Sequence, residues 1–174
     1  RAFLEDLHTE LNENKNRIAE EEGAVSTKKE ILISKEQKFK KFKAGLDTKE
    51  KSIVSNVFFG LLCYSFKCPC GNLEYSFNQF MDIPLYFSKS YESKVVNLEK
   101  LLIDNFSDEL GLESKEKCSK CQKTEKLSKK MRICKIPQVL ILSLQRSNAT
   151  NTEKSEVVVS FPDEIDVSKI VDFD

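Results

Sequence analysis

The sequence has no excess of charge of either sign: 28 Lys and Arg stand against 28 Asp and Glu over 174 residues. No overall field therefore draws the chain toward nucleic acid or anionic lipid, and a partner must be recognised locally. It has no stretch approaching the about 20 apolar residues that cross a bilayer. The opening RAFLEDLHTE is too charged to be a secretion signal. These absences predict a cytoplasmic and/or nuclear protein with no membrane and no nucleic-acid partner. There is also only one histidine, His8, set between Leu7 and Leu11 where packing accounts for it better than catalysis. Without a second base of that kind, no Cys–His catalytic pair is expected within the chain. The sequence opens on Arg1, inside an apparent helix and without an initiator Met, so the expectation is a piece of a larger protein.

What is present suffices for a folded domain, since 40% of the residues are hydrophobic and 12 are Phe. Phe3, Leu4, Leu7 and Leu11 recur at helical spacing, which predicts an amphipathic helix over 1–11 with one buried stripe. From 12 to 51 the character changes: nine Lys follow Thr27, Glu20, Glu21 and Glu22 run together, and large apolar residues are few. Such a segment buries little area against its ordering entropy and reads as a charged, mobile insertion with at most transient helix. Glu30, Glu36, Asp47 and Glu50 interrupt the Lys cluster, which favours a solvated face over a nucleic-acid tail.

Ordered structure is expected again over 52–174. Ile53, Val54, Val57 and Phe58 fit a short helix that Gly60 ends. Leu62, Tyr64 and Phe66, then Leu73, Tyr75 and Phe77, alternate as two antiparallel strands joined by a tight KCPCG turn. Leu98, Leu101, Leu102 and Phe106 make a helical stripe. RIC, a buried central strand over 138–144 and a short strand EVVVSFP complete the pattern. Helices mixed with mostly antiparallel strands give the class α+β.

Six cysteines without a secretion signal favour metal ligands and buried thiols over disulfides. Cys68 and Cys70 share one turn, Cys118 and Cys121 a second, with 47 residues between the pairs. Two such turns facing each other can offer four thiolates to one structural Zn²⁺, the zinc-ribbon arrangement. CSKC has the usual spacing, but CPC is one residue short, so two unmetallated turns or a disulfide stay open. Cys63 and Cys134 lie on apolar strands and read as buried thiols.

The succession FLEDLHTELN, SIVSNVFFGLLCYSFKCPCG, LEYSFNQFMDIPL, NLEKLLIDNFSDELGL, CSKCQK, KKMRICKIPQVLILSLQRS and VVVSFPDEIDV resembles the middle of the ubiquitin-specific proteases. That resemblance implies the fingers and part of the palm of a hand-shaped, papain-like cysteine peptidase, in which the fingers grip ubiquitin. It places Cys68, Cys70, Cys118 and Cys121 on the zinc positions at the fingertips, QVLILSLQR on a palm strand and His8 on a non-catalytic position of a family helix. It puts the catalytic cysteine upstream of the first helix and the catalytic histidine downstream of Asp174, so the chain alone is expected to be inactive. The activity implied for the parent is hydrolysis after ubiquitin's terminal glycine through an acyl-enzyme. Where the family has Leu-Lys-Arg-Phe, this chain has Leu144, Gln145, Arg146 and Ser147. The alternative is a non-catalytic zinc-ribbon module or a pseudo-protease that holds ubiquitin. A purely structural domain would leave the paired cysteines unexplained.

Overall fold

The computed structural model describes residues 2–14, 34–88, 91, 95–107, 109–113, 118–123, 126–147 and 154–172. It divides into two compact units, Arg1–Phe59 with Pro137–Val139 and Gly60–Ile136 with Leu140–Asp174.

The first unit is helical. Helix α1 (Ala2–Leu11) is present as the spacing predicts, but it buries no residue, and Phe3 is 73% exposed. Periodicity specifies which face of a helix is apolar without specifying what covers it, and of the apolar stripe only Leu4 and Leu7 are half-buried. Of the charged segment 12–51, residues 15–33 lie outside the described residues. Residues Lys35–Lys49 form helix α2, started by a capping box in which Ser34 Oγ accepts from the Gln37 amide and the Gln37 side chain returns to the Ser34 amide. The ends of the segment are tied together. Glu13 N–H donates to Lys51 O (2.9 Å), Lys51 N–H to Asn12 Oδ1 (3.1 Å) and Asn12 Nδ2 to Lys49 O (2.7 Å).

Helix α3 (Ile53–Phe58) has Ser52 as its cap, with a second capping box made by Ser55. It stops at Phe58, with Phe59 as its C-cap, and Gly60 is not the terminator that the sequence suggests. Gly60 opens a strand, and a Cβ there would stand 2.3 Å from the Phe80 ring and 2.8 Å from Lys135 O. Close packing, not a left-handed backbone, is what requires glycine at this position.

The second unit holds the sheets. Strands β1 (Gly60–Lys67), β2 (Leu73–Phe80), β5 (Glu109–Glu113) and β6 (Lys126–Lys135) form one antiparallel sheet in the order β2-β1-β6-β5. Two parallel pairs accompany it: β3 (Asp82–Tyr86) with β7 (Ile141–Gln145), and β4 (Val95–Asn97) with β8 (Val158–Ser160). The strand expected over 138–144 thus begins three residues later. It is half-buried, and among the described residues β3 is its single partner. Pro137 has no N–H to give a ladder, and Val139 N–H turns instead to Val57 O at 3.0 Å.

Helix α4 (Leu98–Asn105) is capped by Asn97, whose side chain accepts from the Glu99 amide. Its stripe of Leu101, Leu102 and, just beyond it, Phe106 joins Leu85, Ile133 and Ile170 as the most completely buried large side chains. Each contributes roughly 1.5–3 kcal/mol by leaving water. Asn105 fastens the helix to β3, its Oδ1 accepting from Tyr86 N–H at 2.8 Å and its Nδ2 donating to Tyr86 O at 3.1 Å.

Candidate metal centre

The β1–β2 hairpin runs in unbroken register from Gly60↔Phe80 to Lys67↔Leu73, which presents KCPCG at its tip. Pro69 presets the second position of the turn, Gly71 N–H closes it onto Cys68 O (2.9 Å), and Gly71 takes φ +84°. Cys68 N–H then donates to Asn72 O at 2.9 Å. Strands β5 and β6, ending at Glu113↔Lys126, carry the second tip. There Gln122 N–H closes onto Cys118 O (2.9 Å), Cys118 N–H donates to Lys123 O (3.0 Å), and Gln122 takes φ 59°. In each knuckle the residue after the second cysteine is left-handed, which turns both sulfurs to one side.

The two tips bring Cys68, Cys70, Cys118 and Cys121 together, with all four sulfurs within 4.8 Å of one another. Sulfurs face each other across the tips, Cys68 to Cys121 at 3.9 Å and Cys70 to Cys118 at 3.7 Å. A tetrahedral thiolate-held ion such as zinc, with bonds of about 2.3 Å, sets its sulfurs about 3.8 Å apart. The cluster fits such an ion and can hold one. Cys68 is buried, Cys118 and Cys121 half-buried and Cys70 exposed.

The sulfurs differ in acidity. The Cys121 amide, helped by the Lys120 amide, the Asn72 side chain and the Cys70 thiol and opposed by burial, brings Cys118 from the ordinary 9.0 down to about 6. The Cys70 amide pulls on Cys68, but burial and the thiols of Cys70, Cys118 and Cys121 outweigh it and push Cys68 up to about 12. Cys121 is raised as well: the Lys123 amide lowers it, and burial with the Cys118 and Cys70 thiols prevails. An ion binding all four must therefore displace protons from Cys68 and Cys121 at neutral pH.

A polar network that the sequence did not reveal joins the tips. Asn72 Nδ2 stands 2.8 Å from Glu74 Oε1, 3.1 Å from Ser119 Oγ and 3.4 Å from Cys118 Sγ. The only signal in the sequence was a pair of short polar residues adjoining the cysteines, which is common in turns.

The remaining candidates lie elsewhere. Cys63 is buried within β1, whereas Cys134 is half-buried, not fully buried as expected, and its S–H donates to Leu61 O at 3.4 Å. His8 has both ring nitrogens engaged. Nε2 meets the Glu50 carboxylate, and Nδ1 lies 2.6 Å from Ser52 Oγ. With Nε2–H donating to Glu50, Nδ1 is left to accept the Ser52 hydroxyl. The ring also packs against Phe59, centroids 4.9 Å apart. Arg146, the cation kept in the altered Leu-Gln-Arg-Ser segment, donates to Val157 O at 2.7 Å and lies over the Phe87 ring.

An α+β chain whose two hairpin tips bring four cysteines together has a candidate metal site, and its relatives give it a family. The model for ubiquitin carboxyl-terminal hydrolases matches residues 1–174. The chain belongs to the ubiquitin carboxyl-terminal hydrolase family. It is 31% identical over 117 residues to ubiquitin carboxyl-terminal hydrolase 2 of Gallus gallus, covering 66% of this chain and 33% of that protein. It is 32% identical over 151 residues to probable ubiquitin carboxyl-terminal hydrolase 4 of Schizosaccharomyces pombe, covering 83% of this chain and 24% of that protein. The chain thus spans a third or less of these relatives. Among solved structures it resembles a chain of the SAGA DUB module Ubp8/Sgf11/Sus1/Sgf73 bound to monoubiquitin, with a TM-score of 0.57 at 27% identity over 70% of this chain and 27% of that one. A further structure of that module aligns over 98% of this chain and 34% of the other, with a TM-score of 0.63, and at 20% identity it supports the fold.

Proposed function

We propose that this stretch is the ubiquitin-gripping β region of a deubiquitinating cysteine peptidase, the fingers and part of the palm, with one structural Zn²⁺ on Cys68, Cys70, Cys118 and Cys121. The observation that carries the reading is the four-stranded sheet ending in that cage, in a chain similar at 27% identity to part of a module solved with monoubiquitin. A rigid sheet pinned at its tip suits positioning a globular partner so that its flexible tail reaches a cleft elsewhere. The whole protein would hydrolyse the bond after ubiquitin's terminal glycine. This stretch contributes recognition, since its single histidine is held by Ser52 and Glu50.

Titration of isotope-labelled ubiquitin with the chain tests the reading. Shifts should cluster on one face of ubiquitin, with a Kd no tighter than roughly tens of micromolar, because the best-buried anchors of an interface carry most of its energy and this is a partial one. They should fade for the Cys118→Ser, Cys121→Ser double variant. A folded chain at millimolar concentration that shifts no ubiquitin resonance would overturn the assignment. A fluorogenic ubiquitin substrate should show no turnover. Turnover abolished by Cys63→Ser or Cys134→Ser would mean that the active site lies within this chain.

A further inference from the structure

Among the described residues, the polar residue set deepest in the fingertip is Asn72, 8% exposed. Its backbone and its side chain serve different knuckles. The carbonyl closes the first knuckle by accepting the Cys68 amide at 2.9 Å, while the side-chain amide reaches Cys118 and Ser119 of the second. A side-chain amide has two hydrogens for three neighbours. The Glu74 carboxylate at 2.8 Å and the Cys118 sulfur at 3.4 Å are the stronger acceptors, and Ser119 satisfies itself by donating its hydroxyl to Glu74 Oε1 at 2.7 Å. The Ser119 amide also points to Glu74 Oε1, at 3.4 Å. Glu74 thus gathers donors from both tips, and the Asn72 amide stands between its carboxylate and the sulfur.

We propose that Asn72 is a positioning residue for the metal cage: its side-chain N–H groups bind the Cys118 sulfur and the Glu74 carboxylate, latching the second knuckle onto the first. The proposal rests on the metal reading above. Hydrogen bonds to a ligating sulfur disperse its charge and fix its direction, and losing a partner of this kind typically costs about 10- to 100-fold in metal affinity. The need is specific to this cage. The first turn is one residue short, so its own amides offer less to hold the pair opposite, and Glu74 places a carboxylate near sulfurs that are negative once an ion is bound. Asn72 separates these like charges with a donor for each.

Asn72→Asp separates a donor role from simple packing, because it conserves size but replaces the donor with an acceptor between a carboxylate and a thiolate. The full chain is loaded with zinc, its content measured, and its affinity determined by competition with a chromophoric chelator. Asn72→Asp should weaken binding roughly 10- to 100-fold, Asn72→Ala should weaken it less, and Asn78→Ala, at an exposed position of β2 far along the strand from the tip, should leave it unchanged. The ¹¹³Cd resonance of the cadmium-substituted chain should move in both Asn72 variants with four sulfurs still bound. If Asn72→Asp does not fold, Ser119→Ala serves, and it should lower affinity by removing the hydroxyl from Glu74. Loading of Asn72→Asp as tight as the parent's, Asn72→Ala weaker than Asn72→Asp, or Ser119→Ala unchanged would each overturn the latch alone. A parent chain that takes up no metal would instead overturn the metal reading beneath it.

Discussion

The two knuckles reach the same end by different local chemistry. The first uses a fixed φ at Pro69 and a glycine at φ +84°, in a turn with one residue between its sulfurs. The second has Ser119 and Lys120 between its sulfurs and places Gln122, a residue with a Cβ, at φ 59°. In each, an amide just past the second cysteine closes onto the first cysteine's carbonyl. A side-chain bond helps hold the strained position in the second: Gln122 Nε2 donates to Ser119 O at 2.7 Å. Cysteine spacing is thus less binding than the direction in which the turn leaves the pair, and CPC meets that requirement because proline and glycine supply the conformation a longer turn obtains from length.

The largest effect should come from removing either pair. If the cage is shared, Cys68→Ser with Cys70→Ser and Cys118→Ser with Cys121→Ser should abolish stoichiometric zinc and lose the same stability. That loss should be about 4 kcal/mol, or roughly 8–16 °C in Tm for a chain of this size. Metal analysis with calorimetry measures both. Unequal losses between the double variants would mean that one knuckle folds without the other, and unchanged stability in both would remove the structural role of the metal.

Acidity sharpens the comparison. The first knuckle holds Cys68 at about 12 and the second holds Cys118 at about 6. The sign follows from the ligand form. Only thiolates bind, so a thiol still protonated must lose its proton on loading, and affinity falls as pH falls. At pH 7 Cys68 and Cys121, both raised, each release a proton, while Cys118 is already ionised. Below about 6 Cys118 must release one too, so the fall in affinity with acidification should steepen there. Chelator competition from pH 5 to 8, with dye-monitored proton release, reads this directly; fewer than two protons per ion at pH 7 would contradict it.

Much of this architecture was legible because its signals are local. The alternation through Tyr64 and Tyr75 marks the hairpin, the stripe at Leu98, Leu101 and Leu102 marks α4, and the paired cysteines mark the tips. What was not legible depends on partners distant in sequence. Val95–Asn97 is too short for a pattern of its own and becomes a strand by lying beside Val158–Ser160. Glycine at position 60 signals a helix stop in sequence, yet it is required by the Phe80 ring across the hairpin. The unbroken apolar run after Pro137 signals a central, buried strand, but Ile141, Leu142, Ser143 and Leu144 are only half-buried. The role of Asn72 is hidden in the sequence for the same reason: a buried asparagine between two turns resembles any turn asparagine until the second turn is brought beside it.

The smallest expected effect tests whether backbone direction, more than spacing, makes the knuckles equivalent. Gly71 has nothing within 4 Å of where a Cβ would lie, so Gly71→Ala adds no clash and isolates the left-handed backbone. Its cost should be about 1 kcal/mol, the penalty of a Cβ in that region. Gln122→Gly removes the same penalty from the second knuckle, but it also loses the bond from Gln122 Nε2 to Ser119 O and adds unfolded-state entropy. These terms nearly cancel, so its effect should stay within about 0.5 kcal/mol of zero. Denaturant unfolding of zinc-loaded chains at constant pH measures both. Opposite outcomes, with Gly71→Ala neutral and Gln122→Gly costly, would show that side-chain bonding sets the second knuckle and that backbone handedness matters little in the first.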